Sequence, residues 1–127
     1  MGQAVNQSIQ QKLACSTKAI CGTYRQIIDL LETLRANQEL DQFMQYAKST
    51  LSYAEAHYSV PDKVDLVICK QRHDPARMLS EVNSRFKAQE QGFYALYPDP
   101  DFGQKIKALF EKTAEDISSL EDSLAQV

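Results

Sequence analysis

Asp65, Cys69 and His73 stand four residues apart, so a helix through this stretch would line them along one face. Carboxylate, thiolate and imidazole are all competent zinc ligands. The row drifts around the helix over two turns, however, and no fourth ligand stands nearby. The three are metal candidates only; the plainer account puts Cys69 in the core and leaves Asp65 and His73 in water. Cys69 with His73 also has the makings of a nucleophile and its base. A working thiol needs a depressed pKa and an oxyanion hole, and here the donors would have to come from helix backbone that is already hydrogen-bonded.

The remaining polar residues offer less. His57 neighbours Glu55, and a two-residue offset on a helix puts the side chains on different faces. The Glu-x-x-His pairs of di-iron bundles are absent. Glu111 and Glu115 share a helical face, as a solvated acidic pair commonly does. Gly2, Gly22, Gly92 and Gly103 are isolated, so no glycine-rich phosphate loop exists. We assign no catalytic residue and no cofactor, and expect the chain not to be an enzyme.

The aromatic residues point elsewhere. Six tyrosines occur without a tryptophan. Tyr46 and Tyr53, one heptad apart, lie off the main apolar seam of their segment and share a flanking face. Tyrosine there either broadens the buried stripe or anchors a partner through its large area and polar tip. The stretch Gly92-Phe93-Tyr94-Ala95-Leu96-Tyr97 is the most apolar in the chain. Folded back it plugs one end of the structure; left exposed it is a docking patch. Tyr46, Tyr53, Phe93, Tyr94 and Tyr97 are therefore the expected partner-contacting residues.

The elements that must position these residues are helices. Apolar side chains recur at alternating steps of three and four in four segments. These run Val5–Leu34 through Ser16, Leu40–Tyr58, Leu79–Phe93 and Phe102–Leu124. The near-heptad spacing gives narrow stripes, which suit helices crossing at about 20° in an antiparallel bundle and packing by coiled-coil rules. Ala36-Asn37-Gln38 is short enough to force a hairpin. Ser59, Asp74-Pro75 and the Tyr97–Asp101 run read as caps or stops. Gly22 marks a place where the first helix could bend. Lys63–Cys69 is rich in β-branched residues but has no second strand to pair with, so residues 60–72 are expected to form a short helix. The expected fold is all-α: a single domain over 1–127, an up-and-down antiparallel bundle of four to five helices with one long N-terminal helix.

Length and charge set the remaining bounds. The chain has 127 residues, and one domain of this size buries about two thirds of its unfolded surface, enough for a core without staples. A net charge of −3 disfavours nucleic-acid binding. The basic residues Lys12, Lys18 and Arg25 near the beginning and the acidic cluster Glu111–Asp122 near the end either pack together or leave the basic end for an acidic partner. An odd number of cysteines (Cys15, Cys21, Cys69) and no secretory signal suggest a reducing, cytoplasmic setting.

The expected function is a non-enzymatic protein–protein interaction module: an adaptor, an assembly factor or a small acidic chaperone. Its partner would be another protein offering an amphipathic helix, or a second copy forming a homodimer. One alternative is a peripheral membrane protein that uses its basic N-terminus. There Gly2 matches the acylation pattern but Asn6 stands where serine or threonine is wanted, and Lys12, Lys18 and Cys15 would supply the second membrane signal. A second alternative is a metal-binding helical protein using Asp65, Cys69 and His73.

Overall fold

The computed structural model describes the backbone of residues 2–32, 38–96 and 99–127, and the side chains of residues 7–32, 41–92, 94, 95 and 99–127. The described residues form five α-helices: α1 (Gly2–Glu32), α2 (Gln38–Tyr58), α3 (Leu66–Arg72), α4 (Ala76–Leu96) and α5 (Pro100–Leu124), with a 3₁₀ turn at Pro61–Lys63. The chain is all-α, as its apolar periodicity predicts. The hairpin expected at Ala36-Asn37 lies outside the described residues.

The four long helices make an up-and-down bundle. Glu32 of α1 pairs with Lys48 of α2, while Arg25 further back reaches Glu55 at 2.8 Å, so α1 and α2 run antiparallel. Phe43 meets Phe86 at one end of α2 and Tyr58 meets Asp74 at the other, which sets α4 antiparallel to α2. Helix α5 closes the ring between α4 and α1. The connection from α2 to α4 runs through the 3₁₀ turn and α3. It crosses one end of the bundle, where the Gln10 amide of α1 donates to the Val64 carbonyl at 2.7 Å.

The core follows the apolar stripes. Leu13, Ile20, Tyr24, Ile27 and Leu31 of α1 are buried, as are Met44, Ala47, Leu51 and Ala54 of α2, Leu79, Val82 and Phe86 of α4, and Phe102, Ile106, Phe110, Ile117 and Leu120 of α5. Phe86 sits at the middle. Tyr24 of α1 stacks on it at 5.3 Å, Phe43 of α2 meets it edge-on at 4.4 Å, and Phe110 of α5 leans on it at 5.7 Å. Each long helix thus contributes one ring. Aromatic pairs in such geometries contribute about 0.5–1.5 kcal/mol each beyond their buried area. The Tyr24 hydroxyl donates to Asn83 Oδ1 at 2.8 Å, which satisfies the one polar tip in the cluster. Burial pushes the Tyr24 phenol well above its ordinary pKa, so it keeps the proton it donates.

Several local expectations change. Helix α1 runs unbroken through Gly22, which lies on the exposed face where an added Cβ would meet nothing within 4 Å. Thr17, rather than Ser16, occupies the buried position; its Oγ1 donates to the Leu13 carbonyl at 2.7 Å, a bond that lets a hydroxyl enter an apolar seam. Residues 60–72 are not one helix. Val64 and Asp65 are extended between the 3₁₀ turn and α3, because the Asp65 carboxylate caps α3 by accepting from the amides of Val67 (3.0 Å) and Ile68 (3.3 Å). Ser59 does not cap: its hydroxyl donates back to the Glu55 carbonyl, and the 3₁₀ turn starts without a side-chain cap. Asp74 is buried, accepting from the Tyr58 hydroxyl at 3.2 Å. Its other oxygen lies 3.4 Å from the Arg77 guanidinium without a hydrogen bond. Asp99 caps α5 as expected, accepting from the Asp101 amide at 2.9 Å.

The aromatic hub gives the first prediction. Phe86→Ala removes the ring that all three neighbours touch, and should destabilise the fold by about 3–5 kcal/mol. Chemical denaturation followed by circular dichroism measures this. A loss below about 1 kcal/mol would show that the hub does not carry the packing assigned to it.

Candidate functional site

The Asp65, Cys69 and His73 row does not converge on a ligand. Asp65 is exposed and spent as the cap of α3, Cys69 points into the core, and His73 is the exposed left-handed residue (φ 57°) that ends α3. Histidine is among the residues that accept this backbone region. Among the described residues, no three His, Cys, Asp or Glu side chains stand where they could share a metal ion. Burial pushes the Cys69 thiol up to about 11, with the carboxylates of Asp74 and Asp65 adding to the rise. A thiol so placed stays protonated at neutral pH and makes a poor nucleophile. Cys21 is raised further, to about 12, by burial and then by Glu55; its thiol faces the Leu51 carbonyl at 3.8 Å.

The tyrosines are placed differently from one another. Tyr46 is half-buried on the flank of α2. The Arg85 guanidinium carbon stands 4.2 Å from the centre of its ring, and the Phe43 ring lies tilted to it at 6.4 Å. A groove of about 400 Å³ opens here between α2 and α4, lined by Gln42, Phe43, Tyr46, Arg85, Ala88 and Gln89. Tyr53 lies two turns along the same face of α2 and is 42% exposed, its ring 4.3 Å from that of His57. Tyr94 packs half-buried against the core with its hydroxyl donating to Glu90 at 2.6 Å; burial, and then that hydrogen bond, raises its pKa to about 12. Residues 92–96 continue α4 rather than folding back. The Phe93 side chain and Tyr97 lie outside the described residues.

Two features escaped the sequence analysis. Arg85 and Phe43 complete the Tyr46 groove; Arg85 did not stand out because the ring it covers lies on another helix. The second feature is apolar exposure on the α2–α4 connection: Val67 is 65% exposed, Val60 43% and Ile68 38%. A signal for it was present. Leu66-Val67-Ile68-Cys69 is an unbroken apolar run, and a two-turn helix can turn only one side of such a run inward. Elsewhere an apolar groove of about 500 Å³ separates α1 from α5, with Leu30 and Leu109 in its floor and Asp29 and Lys105 on its rims.

Helix α1, which carries Lys12, Lys18 and Arg25, packs against α5, which carries the acidic cluster, without a close ion pair between them among the described residues. Lys12 and Lys18 are exposed and form no ion pair among the described residues, and Arg25 is engaged by Glu55 rather than by α5. No helix among the described residues is long and apolar enough to cross a membrane. Compared with known protein families, with curated proteins and with solved structures, the chain matches none.

The thiols yield a prediction with a definite sign. Cys15 is exposed whereas Cys21 and Cys69 are buried, so one thiol per chain should react with a disulfide reagent at neutral pH and three after unfolding. Folding raises the two buried pKa values above the 9.0 of an exposed thiol, so the folded state binds more protons at high pH. Their contribution to stability is therefore complete below about 9 and is lost as pH rises through 11. Unfolding midpoints across that range, compared with those of a Cys21→Ala, Cys69→Ala variant, check this. An identical alkaline fall in both proteins would remove the thiols as its cause.

Proposed function

We propose that this chain is a non-enzymatic interaction module, an adaptor, assembly factor or small acidic chaperone, that accepts an amphipathic helix of a partner protein along the α2–α4 groove. The observation that supports it is the Tyr46–Arg85 stack beside an open groove, with Tyr53 exposed two turns further on the same face. Tyrosine and arginine are the residue types that most often dominate binding energy at protein interfaces, and they do so where a ring is already held in place. Arg85 holds the Tyr46 ring by its cation–π contact and is itself held 3.1 Å from Glu81. Little side-chain freedom remains to be lost when a partner arrives.

A helix lying in such a groove would bring apolar side chains at helical spacing onto Phe43 and Tyr46 and reach Tyr53 with its far end. A second copy of the chain is one source of such a helix. The metal-binding alternative draws no support from the placement of Asp65, Cys69 and His73.

A photo-crosslinking amino acid at position 53 tests this in cells. It should give a discrete protein adduct, and the same residue at Gln26, on the α1–α5 face, should not. Tyr46→Ala together with Arg85→Ala should lower the yield or the affinity for the captured partner by about tenfold or more, with the helical spectrum unchanged. Equal adducts from positions 26 and 53, or capture indifferent to Tyr46 and Arg85, would rule out the groove.

A further inference from the structure

The α2–α4 connection carries a second surface, independent of the groove. Helix α3 turns Cys69 into the core and Val67 directly away from it, with Ile68 beside it; Val60 is exposed on the approach. Lys63, Lys70 and Arg72 stand on the same connection, all exposed and none in an ion pair among the described residues. Of the acids nearby, Asp62 and Asp65 are exposed, Asp65 with one oxygen engaged in capping α3, and Asp74 is buried beside Tyr58 and Arg77. Three exposed cations against two exposed acids give the tip a small positive excess in a chain of net charge −3.

We infer that this tip is a docking surface for an anionic lipid bilayer, with Val67 and Ile68 entering the interface and Lys63, Lys70 and Arg72 meeting the headgroups. Charge complementarity selects an anionic partner. The shape selects a bilayer over a polypeptide. Val67 and Ile68 project from the outer side of a short helix and do not line an apolar slot. The hollow that borders Val67, about 460 Å³ between Gln10 and the connection, is lined largely by polar groups. The tip also lacks an aromatic anchor of the kind protein interfaces favour. A fluid bilayer takes short aliphatic prongs without a preformed pocket, and flanking lysines snorkel to the headgroups. So few apolar groups give weak, reversible attachment, and the cations should make it sensitive to salt.

The test uses the full chain and vesicles of mixed phosphatidylserine and phosphatidylcholine. The wild-type protein should float with them, should stay behind with phosphatidylcholine alone, and should be released by salt. Each basic side chain near an anionic surface contributes about fivefold in affinity, so Lys70→Glu with Arg72→Glu should weaken binding by about tenfold or more. Val67→Asp with Ile68→Asp should do the same, while Tyr46→Ala with Tyr53→Ala should leave vesicle binding unchanged. The last pair separates failure of this inference from failure of the groove. An environment-sensitive fluorophore on Val67→Cys, in a Cys15→Ser background, should shift to the blue with anionic vesicles. No flotation, flotation indifferent to either pair of tip substitutions, or a shift with poly-glutamate but not with vesicles would overturn it.

Discussion

Four rings, one from each long helix, meet at Phe86, and the register of the bundle follows from that meeting. A stack, an edge contact and a tilted contact on one ring cannot all survive if any helix slides by a turn. Close-packed interiors resist such slippage because every displaced atom loses contacts on one side. The hydrogen bond from Tyr24 to Asn83 adds direction, since a buried hydroxyl without a partner would be costly. At the crossover end, Tyr58 and Asp74 hold α2 against the start of α4 in the same way. With the register held at the centre and at this end, the connection between α2 and α4 contributes Val64 and Cys69 to the core, with Leu66 packed half-buried against it.

That division of labour separates what the sequence makes legible from what it hides. The stripes through Leu13, Tyr24 and Ile27, through Leu51 and Ala54, and through Ile106 and Leu120 are long and regular, so the helical period identifies them and their burial follows. The α2–α4 connection is too short for a period to develop, and its conformation is decided by one carboxylate: Asp65 turns its backbone extended in order to cap α3. Ser59 and Asp74 are residue types that suit caps, but each found a different partner once the helices were assembled, Ser59 the Glu55 carbonyl and Asp74 the Tyr58 hydroxyl. Tertiary partners override local preference wherever a polar group would otherwise be buried alone.

The candidate sites divide in the same manner. Tyr46 and Tyr53 share a face because they stand one heptad apart, which sequence spacing reveals; that Arg85 stacks on Tyr46 depends on the neighbouring helix and is visible only in the fold. The Asp65, Cys69 and His73 row has the residue types of a ligand set, but four-residue steps drift around a helix over two turns. In three dimensions one residue caps, one is buried and one ends the helix. The apolar tip around Val67 was hidden for the opposite reason: β-branched residues in a short segment suggest burial, whereas a helix of seven residues that packs through Cys69 and, in part, Leu66 leaves Val67 and Ile68 outside. The groove and the tip occupy different parts of the bundle, a flank and an end.

All of this rests on a core that is complete without the outer side chains of α3. The most direct check is the unfolding free energy of the Val67→Asp, Ile68→Asp variant against wild type, by denaturant titration. If the bundle is closed by its four long helices, the difference should stay within about 0.5 kcal/mol, as for substitutions on an exposed surface. A loss of about 2 kcal/mol or more would mean that these residues are part of the packing, and would contradict an account in which they are free to meet something else.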